Sequence, residues 1–246
     1  MIEKRHLPHA PIKEALIDIQ VAFPEKITVE ALNSKYSRIA DQYTKHETLQ
    51  RREFGVHNED GQPTTYTIGH TIAGYRYSSE DGYRVAQFRV DGFTFSQLEP
   101  YDTWEEMKEE AARLWEVYVD AVSPDPITRV GTRYINILKL PINTELKEYL
   151  EAPPTIPAGL NQSLGSFLTR IDITDPAIGA RGFLTQALEG VHDDYAPIVL
   201  DIDVFIAKEF DPRGNEFWQD LEQLRNCQPK AEMSPSEQSS DVPLRS

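Results

Sequence analysis

The chain has 246 residues, of which 40 are acidic and 25 are basic, so its formal net charge is −15 at pH 7. Such a charge repels phosphate backbones and anionic lipid headgroups, which argues against nucleic-acid binding and against polybasic membrane attachment. The 39% hydrophobic and 26% charged content is typical of folded globular domains. The single cysteine, Cys227, excludes an intramolecular disulfide and a multi-cysteine zinc site.

The sequence contains no pattern expected of a membrane span or a secretory signal. Apolar runs such as 198–200 are interrupted by aspartates within a few residues, whereas a spanning helix needs roughly 20 apolar residues. Residues 1–6 include charged side chains but are not followed by an apolar segment. We therefore expect a cytoplasmic protein without membrane contact.

The first half of the chain predicts a strand, a helix, several strands and a second helix. Residues 14–23 alternate between apolar and polar side chains, which indicates a half-buried strand, and Thr28 is the expected N-cap of a helix over 28–39. Turn clusters at 58–61 and 79–82 separate strands expected at 64–77 and 83–95, and Asp91-Gly92 is either a bulge or a further turn.

The second helix of this half has the clearest signals. Thr103 and Glu106 form a capping box, and apolar residues then recur every three or four positions from Trp104 to Val122. The prolines that follow Ser123 end the helix.

The second half predicts the same order of elements. A strand is expected at 127–140, a short helical piece at 145–150, and a proline-rich connection at 153–157. Three more strands follow at 163–173, 182–189 and 198–208, and the last helix has an apolar stripe formed by Phe217, Trp218, Leu221 and Leu224.

These patterns together predict an α+β fold in which an antiparallel sheet, or two sheets, is covered by helices. The repeated order suggests a structural duplication, with halves at 1–123 and 124–226 that pack as one globular unit. Residues 227–246 are rich in serine and proline and contain few large apolar side chains, so we expect a disordered tail.

Three segments resemble a sporadically distributed bacterial protein family. They are His-Ala-Pro-Ile-Lys-Glu-Ala-Leu-Ile-Asp-Ile at 9–19, Arg-Val-Gly-Thr-Arg-Tyr-Ile-Asn at 129–136 and Leu-Asp-Ile-Asp-Val-Phe at 200–205. The resemblance extends to about Asn226 and implies a bacterial cytosolic protein. It implies no activity, because none is established for that family. Its members usually continue past the last helix with another ordered segment, where this chain has its serine- and proline-rich tail.

Charged side chains inside the predicted strands are the best candidates for a site. Asp201 and Asp203 share one face of their strand, as do Arg129 and Arg133, and like charges on a half-apolar face need compensation. One interpretation is a ladder of ion pairs between neighbouring strands. The other is a binding site in which the arginines hold a phosphate or carboxylate and the aspartates hold a divalent metal. The candidate ligand-binding residues are Glu14, Arg129, Arg133, Asn136 and Arg170, and the candidate metal ligands are Asp201 and Asp203.

Motifs for nucleophilic or zinc chemistry are missing from the sequence. It contains no G-x-S-x-G, no H-E-x-x-H, no Walker lysine loop and no G-x-G-x-x-G. Cys227 stands at the start of the expected tail, where no base would be held in place to activate it.

Two functions from different classes are consistent with these patterns. The first is a non-enzymatic acidic binding or regulatory protein that recognises a protein partner or a small ligand, without a cofactor; one form of it neutralises a basic partner, as antitoxins and immunity proteins do. The alternative is a magnesium-dependent enzyme or binder for a small phosphorylated molecule. A third possibility is an oligomeric structural component, in which the apolar stripe of the 104–122 helix faces another subunit.

Overall fold

The structure is a computed structural model that describes residues 12–22, 28–59, 62–142, 145–150, 153–155, 165–190, 192 and 194–226. Within these ranges, nine strands form one sheet and three α-helices pack against it. The strands are β1 (Ile12–Val21), β2 (Lys45–Glu59), β3 (Gln62–Ser78), β4 (Arg84–Arg89), β5 (Gly92–Leu98), β6 (Ile127–Pro141), β7 (Ser166–Asp175), β8 (Ala180–Glu189) and β9 (Tyr195–Ile206). The helices are α1 (Val29–Asn33), α2 (Trp104–Val122) and α3 (Glu216–Asn226), with 3₁₀ turns at Tyr36–Arg38 and Leu146–Glu148.

The sheet is antiparallel throughout and runs in the order β2-β3-β4-β5-β1-β6-β9-β8-β7. The first strand of each half lies at the centre, where β1 and β6 pair with each other. In each half the last strand pairs with the first strand of that half: β5 pairs with β1, and β9 pairs with β6. The predicted α+β class with an antiparallel sheet is confirmed, and the sheet is continuous across the two halves.

The helices cover one face of the sheet, and the core lies beneath them. The predicted alternation of β1 is confirmed, since Ala15, Ile17 and Ile19 are fully buried on this face. Removing such side chains from water is the main stabilising contribution to the fold. The continuation of the strand to Phe23 lies outside the described residues.

Helix α2 crosses the core as predicted from its sequence. The Thr103 side chain accepts a hydrogen bond from the Glu106 backbone amide, and Ser123 ends the helix in the left-handed region at φ 47°. Trp115 stacks on Tyr118 and donates from Nε1 to the carbonyl oxygen of Pro212 at 2.9 Å. The apolar stripe therefore packs against its own sheet and against the segment that leads into α3.

Two elements differ from their predicted extent. The helix expected over 28–39 ends at Asn33, where the side-chain oxygen accepts a hydrogen bond from Tyr77 of the sheet, and a 3₁₀ turn replaces its second half. The strand expected at 83–95 is divided into β4 and β5 by a turn before Gly92, so of the two alternatives for Asp91-Gly92 the turn is confirmed. Gly92 has φ +157° and approaches the carbonyl oxygen of Ile19 so closely that a Cβ would lie 2.3 Å from it.

Three predictions concern segments that lie wholly or partly outside the described residues. The tail at 227–246 lies outside the described residues, as do positions 60 and 61 of the first turn cluster and much of the proline-rich connection.

Of the described helices, none has the length and apolar character needed to cross a membrane.

Candidate functional site

The charged residues predicted as a site lie on the face of the sheet opposite the helices, which we call the open face. Strand register places Asp18 of β1 opposite Gly131 of β6, and Arg133 of β6 opposite Asp203 of β9. Since directly opposed residues of an antiparallel sheet share a face, these side chains all project to the same side. They alternate with the buried residues that face the helices.

Arg129 is the centre of this arrangement. Its Nη1 donates to Oδ2 of Asp18 at 2.9 Å, and its Nη2 donates to Oδ1 and Oδ2 of Asp203 at 3.1 and 3.2 Å. The side chains of Arg129 and Asp18 are each only 17% exposed. One guanidinium therefore compensates two partly buried carboxylates that lie on different strands.

The network continues from Asp18 towards the other edge of the sheet. Asp18 Oδ1 accepts hydrogen bonds from Arg89 Nη2 at 3.0 Å and from the Thr94 hydroxyl at 2.8 Å. Arg89 also donates to Asp91 at 3.1 Å, and Asp91 accepts a second bond from Arg51 at 2.6 Å. Positive and negative groups thus alternate across the sheet.

Neighbouring charges hold this part of the network ionised. Although burial acts in the opposite direction, Asp18 and Asp91 raise the pKa of the Arg89 guanidinium. Burial likewise opposes ionisation of Asp91, but Arg89 and Arg51 outweigh it and lower the pKa of this carboxyl.

Arg133 forms a separate bidentate pair with Asp201. Nε and Nη2 of Arg133 each donate to one carboxylate oxygen at 2.7 Å, in the parallel geometry that suits a guanidinium and a carboxylate. The hydrogen bonds to Asp201 raise the pKa of Arg133. Asp201 and Asp203 are therefore each already bound by an arginine.

Asp203 is the least favourably placed carboxylate of the network. Burial raises its pKa above the ordinary 3.8, and nearby Asp18 adds to the effect, while Arg129 and Arg133 act against it. The two arginines do not fully compensate for the loss of water around this group.

Aromatic rings extend the open face beyond the charges. The guanidinium of Arg129 lies 4.1 Å from the ring centroid of Phe205, and that of Arg170 lies 4.0 Å from the ring centroid of Phe183. The two rings are neighbours, with centroids 5.9 Å apart. Gly131 leaves the space that this packing needs, since a Cβ there would lie 3.0 Å from Phe205 Cβ and 3.3 Å from Arg129 Nη1.

The structure brings some of the predicted site residues together and separates others. Arg129, Arg133, Asp201 and Asp203 form one cluster. Glu14 is on the same face but forms no ion pair with the described residues. Arg170 lies two strands beyond Asp201, on β7.

Asn136 lies on the opposite face of β6 from the charged cluster. It is 3% exposed, and its Nδ2 donates to the carbonyl oxygen of Leu200 at 3.1 Å. This placement follows from the period of two, because the odd-numbered arginines of β6 point to the open face and the even-numbered Asn136 points to the helices. Its amide supports the sheet from the covered side.

Asp18, Arg89 and Gly131 belong to the arrangement but were not predicted as site residues. The sequence signal for Asp18 was its place on the polar side of β1, and for Gly131 it was the Arg-x-Gly-x-Arg spacing on one face of β6. Nothing in the sequence indicated that β1 pairs with β6, so neither pattern predicted that Asp18 and Gly131 would lie beside the arginines.

The cluster offers little to a metal ion. Within the described ranges, no group of three or more histidine, cysteine, aspartate or glutamate side chains is placed to hold one. A cation at Asp201 and Asp203 would have to displace Arg133 and Arg129 from them.

A second charged feature lies on the other side of the molecule, along α2. Every exposed position of the helix between 105 and 120 is acidic. We call these five residues the acidic α2 surface: Glu105, Glu106, Glu109, Glu116 and Asp120. These residues point to solvent because they lie on the side of the helix opposite the apolar stripe, which is buried against the sheet.

Only part of the acidic α2 surface is neutralised. Glu105 pairs with Arg225 at 2.8 Å, and Asp120 pairs with Arg38 at 2.7 Å. Glu106 and Glu109 form no ion pair with any residue that the structure describes. The N-terminal half of the helix therefore carries most of the uncompensated charge.

A groove of about 340 Å³ adjoins these two glutamates, between α2 and strands β4 and β5. Phe95 and Met107 contribute apolar surface to it, and Asp102 and Glu110 add two more carboxylates. Its lining residues are Arg84, Phe95, Gln97, Asp102, Glu106, Met107, Glu109, Glu110 and Arg113. Four carboxylates against two guanidinium groups leave the groove negative.

Glu110 is a carboxylate of the groove whose hydrogen bonds are made within the protein. It accepts hydrogen bonds from the hydroxyl of the fully buried Tyr43 at 2.7 Å and from Arg113 at 2.7 and 2.8 Å. Burial favours its neutral form, but these two partners outweigh burial and lower the pKa of Glu110. It therefore joins the helix to the segment that precedes β2, while the exposed glutamates beside it face solvent.

No family model matches the chain, and neither a curated protein nor a solved structure is significantly similar to it.

Proposed function

We propose that this protein is a non-enzymatic acidic binding or regulatory protein that neutralises a basic protein partner, in the manner of an antitoxin or an immunity protein. The observation that carries the proposal is the contrast between two charged regions. The arginines and aspartates that meet on β1, β6 and β9 of the open face bind one another, whereas Glu106 and Glu109 on α2 lack basic partners among the described residues.

Charge complementarity connects the acidic α2 surface to a basic partner. A rigid 19-residue helix presents its carboxylates at fixed spacing, so association would lose little conformational entropy. The overall charge of −15 would also accelerate the encounter with a cationic protein over long range. Exposed carboxylates of this kind contribute more to association rate and specificity than to the stability of the protein itself.

The experiment is a binding titration with a labelled oligolysine peptide as a defined basic probe, followed by fluorescence anisotropy at several salt concentrations. We compare the wild-type chain with E106K/E109K, which reverses two charges beside the groove. The expected result is a loss of affinity of at least about tenfold, with a weaker salt dependence, because fewer charge contacts remain.

The matched control is E80K/E145K, which makes the same change in net charge at two exposed positions away from α2. Its affinity should fall much less than that of E106K/E109K. Equal losses in both variants would mean that the probe senses only the overall charge, and the proposed surface on α2 would be wrong.

The alternative function is a magnesium-dependent enzyme or binder acting on a small phosphorylated ligand. It would require Asp201 and Asp203 to exchange their arginine partners for a cation, and Arg129, Arg133 and Arg170 to turn towards a phosphate. Calorimetry with magnesium on the wild-type chain and on D203A tests it directly.

We further propose a cytoplasmic location, membership of the resembled bacterial family and a duplicated origin of the two halves. The duplication is supported by the strand orders β5-β1 and β9-β6, in which each half closes its meander on its own first strand. Comparison of the two halves in related sequences would test it.

A further inference from the structure

Strand β7 forms one edge of the sheet. It pairs with β8 on one side, and no described strand pairs with its other side. The strand is ten residues long and regular, and all ten residues are aligned with β8 without a bulge. A long edge without a bulge presents a row of backbone donors and acceptors that another strand can use.

The open-face side chains of β7 are themselves accessible. Leu168 is 72% exposed, the highest value among the large hydrophobic residues described. Arg170 stacks on Phe183 but forms no ion pair with the described residues. Asp172 reaches Arg181 only at 3.4 Å, and both side chains are more than half exposed, so this pair is weak.

We propose that β7 pairs antiparallel with β7 of a second copy of this chain, with Ile171 opposite Ile171 of the partner subunit. In this register Arg170 lies opposite Asp172 of the partner subunit, and the two-fold axis repeats the pair. Two opposite-charge cross-strand pairs then form on one face.

Other registers lack this complementarity. A register centred on residue 170 opposes two arginines, and one centred on residue 172 opposes two aspartates. Shifts by one residue would join the open face of one copy to the covered face of the other, because side chains alternate along a strand. The charges of β7 therefore select one symmetric arrangement.

The covered face is compatible with the same register. Ile171 meets Ile171 of the partner subunit there, and Thr169 meets Ile173 of the partner subunit. These positions are half-buried already and alternate with the exposed ones along β7. Pairing would bury their remaining apolar surface and join the nine-stranded sheets of the two copies into one.

The test is analytical ultracentrifugation of the full chain over a range of concentrations at physiological salt, with three charge variants. R170D places two carboxylates opposite each other in each cross-strand pair, and D172R places two guanidinium groups opposite each other. Each should raise the dimer dissociation constant about tenfold or more, because two favourable pairs become two repulsive ones. The double variant R170D/D172R exchanges the charges, keeps the net charge at −15 and should restore dimerisation.

K147D is the matched control for R170D, since it makes the same charge change at a side chain that is 72% exposed and does not belong to β7. It should dimerise like the wild type, and circular dichroism of every variant verifies folding. A wild-type chain that stays monomeric at all concentrations would overturn the proposal. So would a dimer whose dissociation constant is unchanged by the single substitutions or is not restored by the exchange.

Discussion

Arg129 of β6 donates from Nη1 to Oδ2 of Asp18 of β1 at 2.9 Å, and these two strands are where the halves of the sheet meet. The residues are 111 positions apart in the chain. Because Arg129 also binds Asp203 of β9, its guanidinium connects three adjacent strands. The open face is thus held by charges that have partners within the molecule.

Removal of Arg129 should destabilise the protein more than removal of a surface arginine. R129A leaves Asp203 without its closest cation and Asp18 with only Arg89, so we expect a loss of about 2 kcal/mol in the free energy of unfolding. Urea denaturation followed by circular dichroism measures it. R38A is the control, since its pair with Asp120 is more exposed, at 47% and 37%, and should contribute less than about 1 kcal/mol. Equal losses would contradict the central role of Arg129.

The difference in stability between D203N and the wild type should depend on pH, because the pKa of Asp203 is raised in the folded wild-type protein. A raised folded-state pKa means that the folded protein binds the proton more tightly, so the contribution of Asp203 to stability falls as pH rises from 3.8 through that pKa. The uncharged asparagine avoids this loss. We therefore expect D203N to be at least as stable as the wild type at neutral pH, with the difference shrinking below pH 3.8.

D91N should behave in the opposite way, because the pKa of Asp91 is lowered. Its ionised carboxylate stabilises the folded protein above the ordinary pKa of 3.8, and this contribution is lost as pH falls through the lowered value. The variant should be less stable than the wild type at neutral pH and equally stable in strong acid. Thermal melts of both variants between pH 2.5 and 7 (about the range in which carboxylates titrate) provide the measurement. The same sign for D91N and D203N at neutral pH would be inconsistent with the network described here.

Millimolar magnesium or inorganic phosphate should leave the melting temperature of the wild-type chain unchanged. Each carboxylate of Asp201 and Asp203 accepts hydrogen bonds from an arginine, and each of Arg129 and Arg133 is occupied in turn. A ligand would have to break these bonds before it gained any stabilisation. Scanning fluorimetry provides the measurement, with R133A as a comparison in which Asp201 is released. A concentration-dependent rise in the wild type would favour the magnesium or phosphate alternative instead.

Trp115 connects α2 to the segment before α3, and its two contributions can be separated by substitution. W115F keeps an aromatic ring in the core but leaves the Pro212 carbonyl without its donor, so we expect a loss of about 1–2 kcal/mol. W115A also creates a cavity among Tyr118, Phe93 and Phe217 and should cost about 3–5 kcal/mol. Urea denaturation of both variants tests this order. A W115F loss as large as that of W115A would show that the hydrogen bond outweighs the packing.

Most elements of the fold could be predicted from the sequence because their signals are local. The period of two in β1 and the cap at Thr103 each depend on residues that are neighbours in the chain. The helix predicted over 28–39 begins after its expected cap Thr28 but ends early at Asn33, whose side chain accepts a hydrogen bond from Tyr77 of the sheet, a contact that no local pattern indicates. For Asp91-Gly92 the sequence left a bulge and a turn open, and in the structure a turn divides β4 from β5 where Gly92 approaches β1 closely.

The sequence by itself determined which side chains share a face of each strand, and so it correctly grouped Arg129 with Arg133 and Asp201 with Asp203. The acidic exposed positions of α2 follow from the same kind of periodicity, because burial of an apolar stripe leaves the remaining positions to solvent, but they were not predicted as a site. Only the tertiary structure decided that Arg129 meets Asp18 and that Asn136 points away from the charges. Strand order and register are set by contacts between residues far apart in the chain, and no local pattern encodes them.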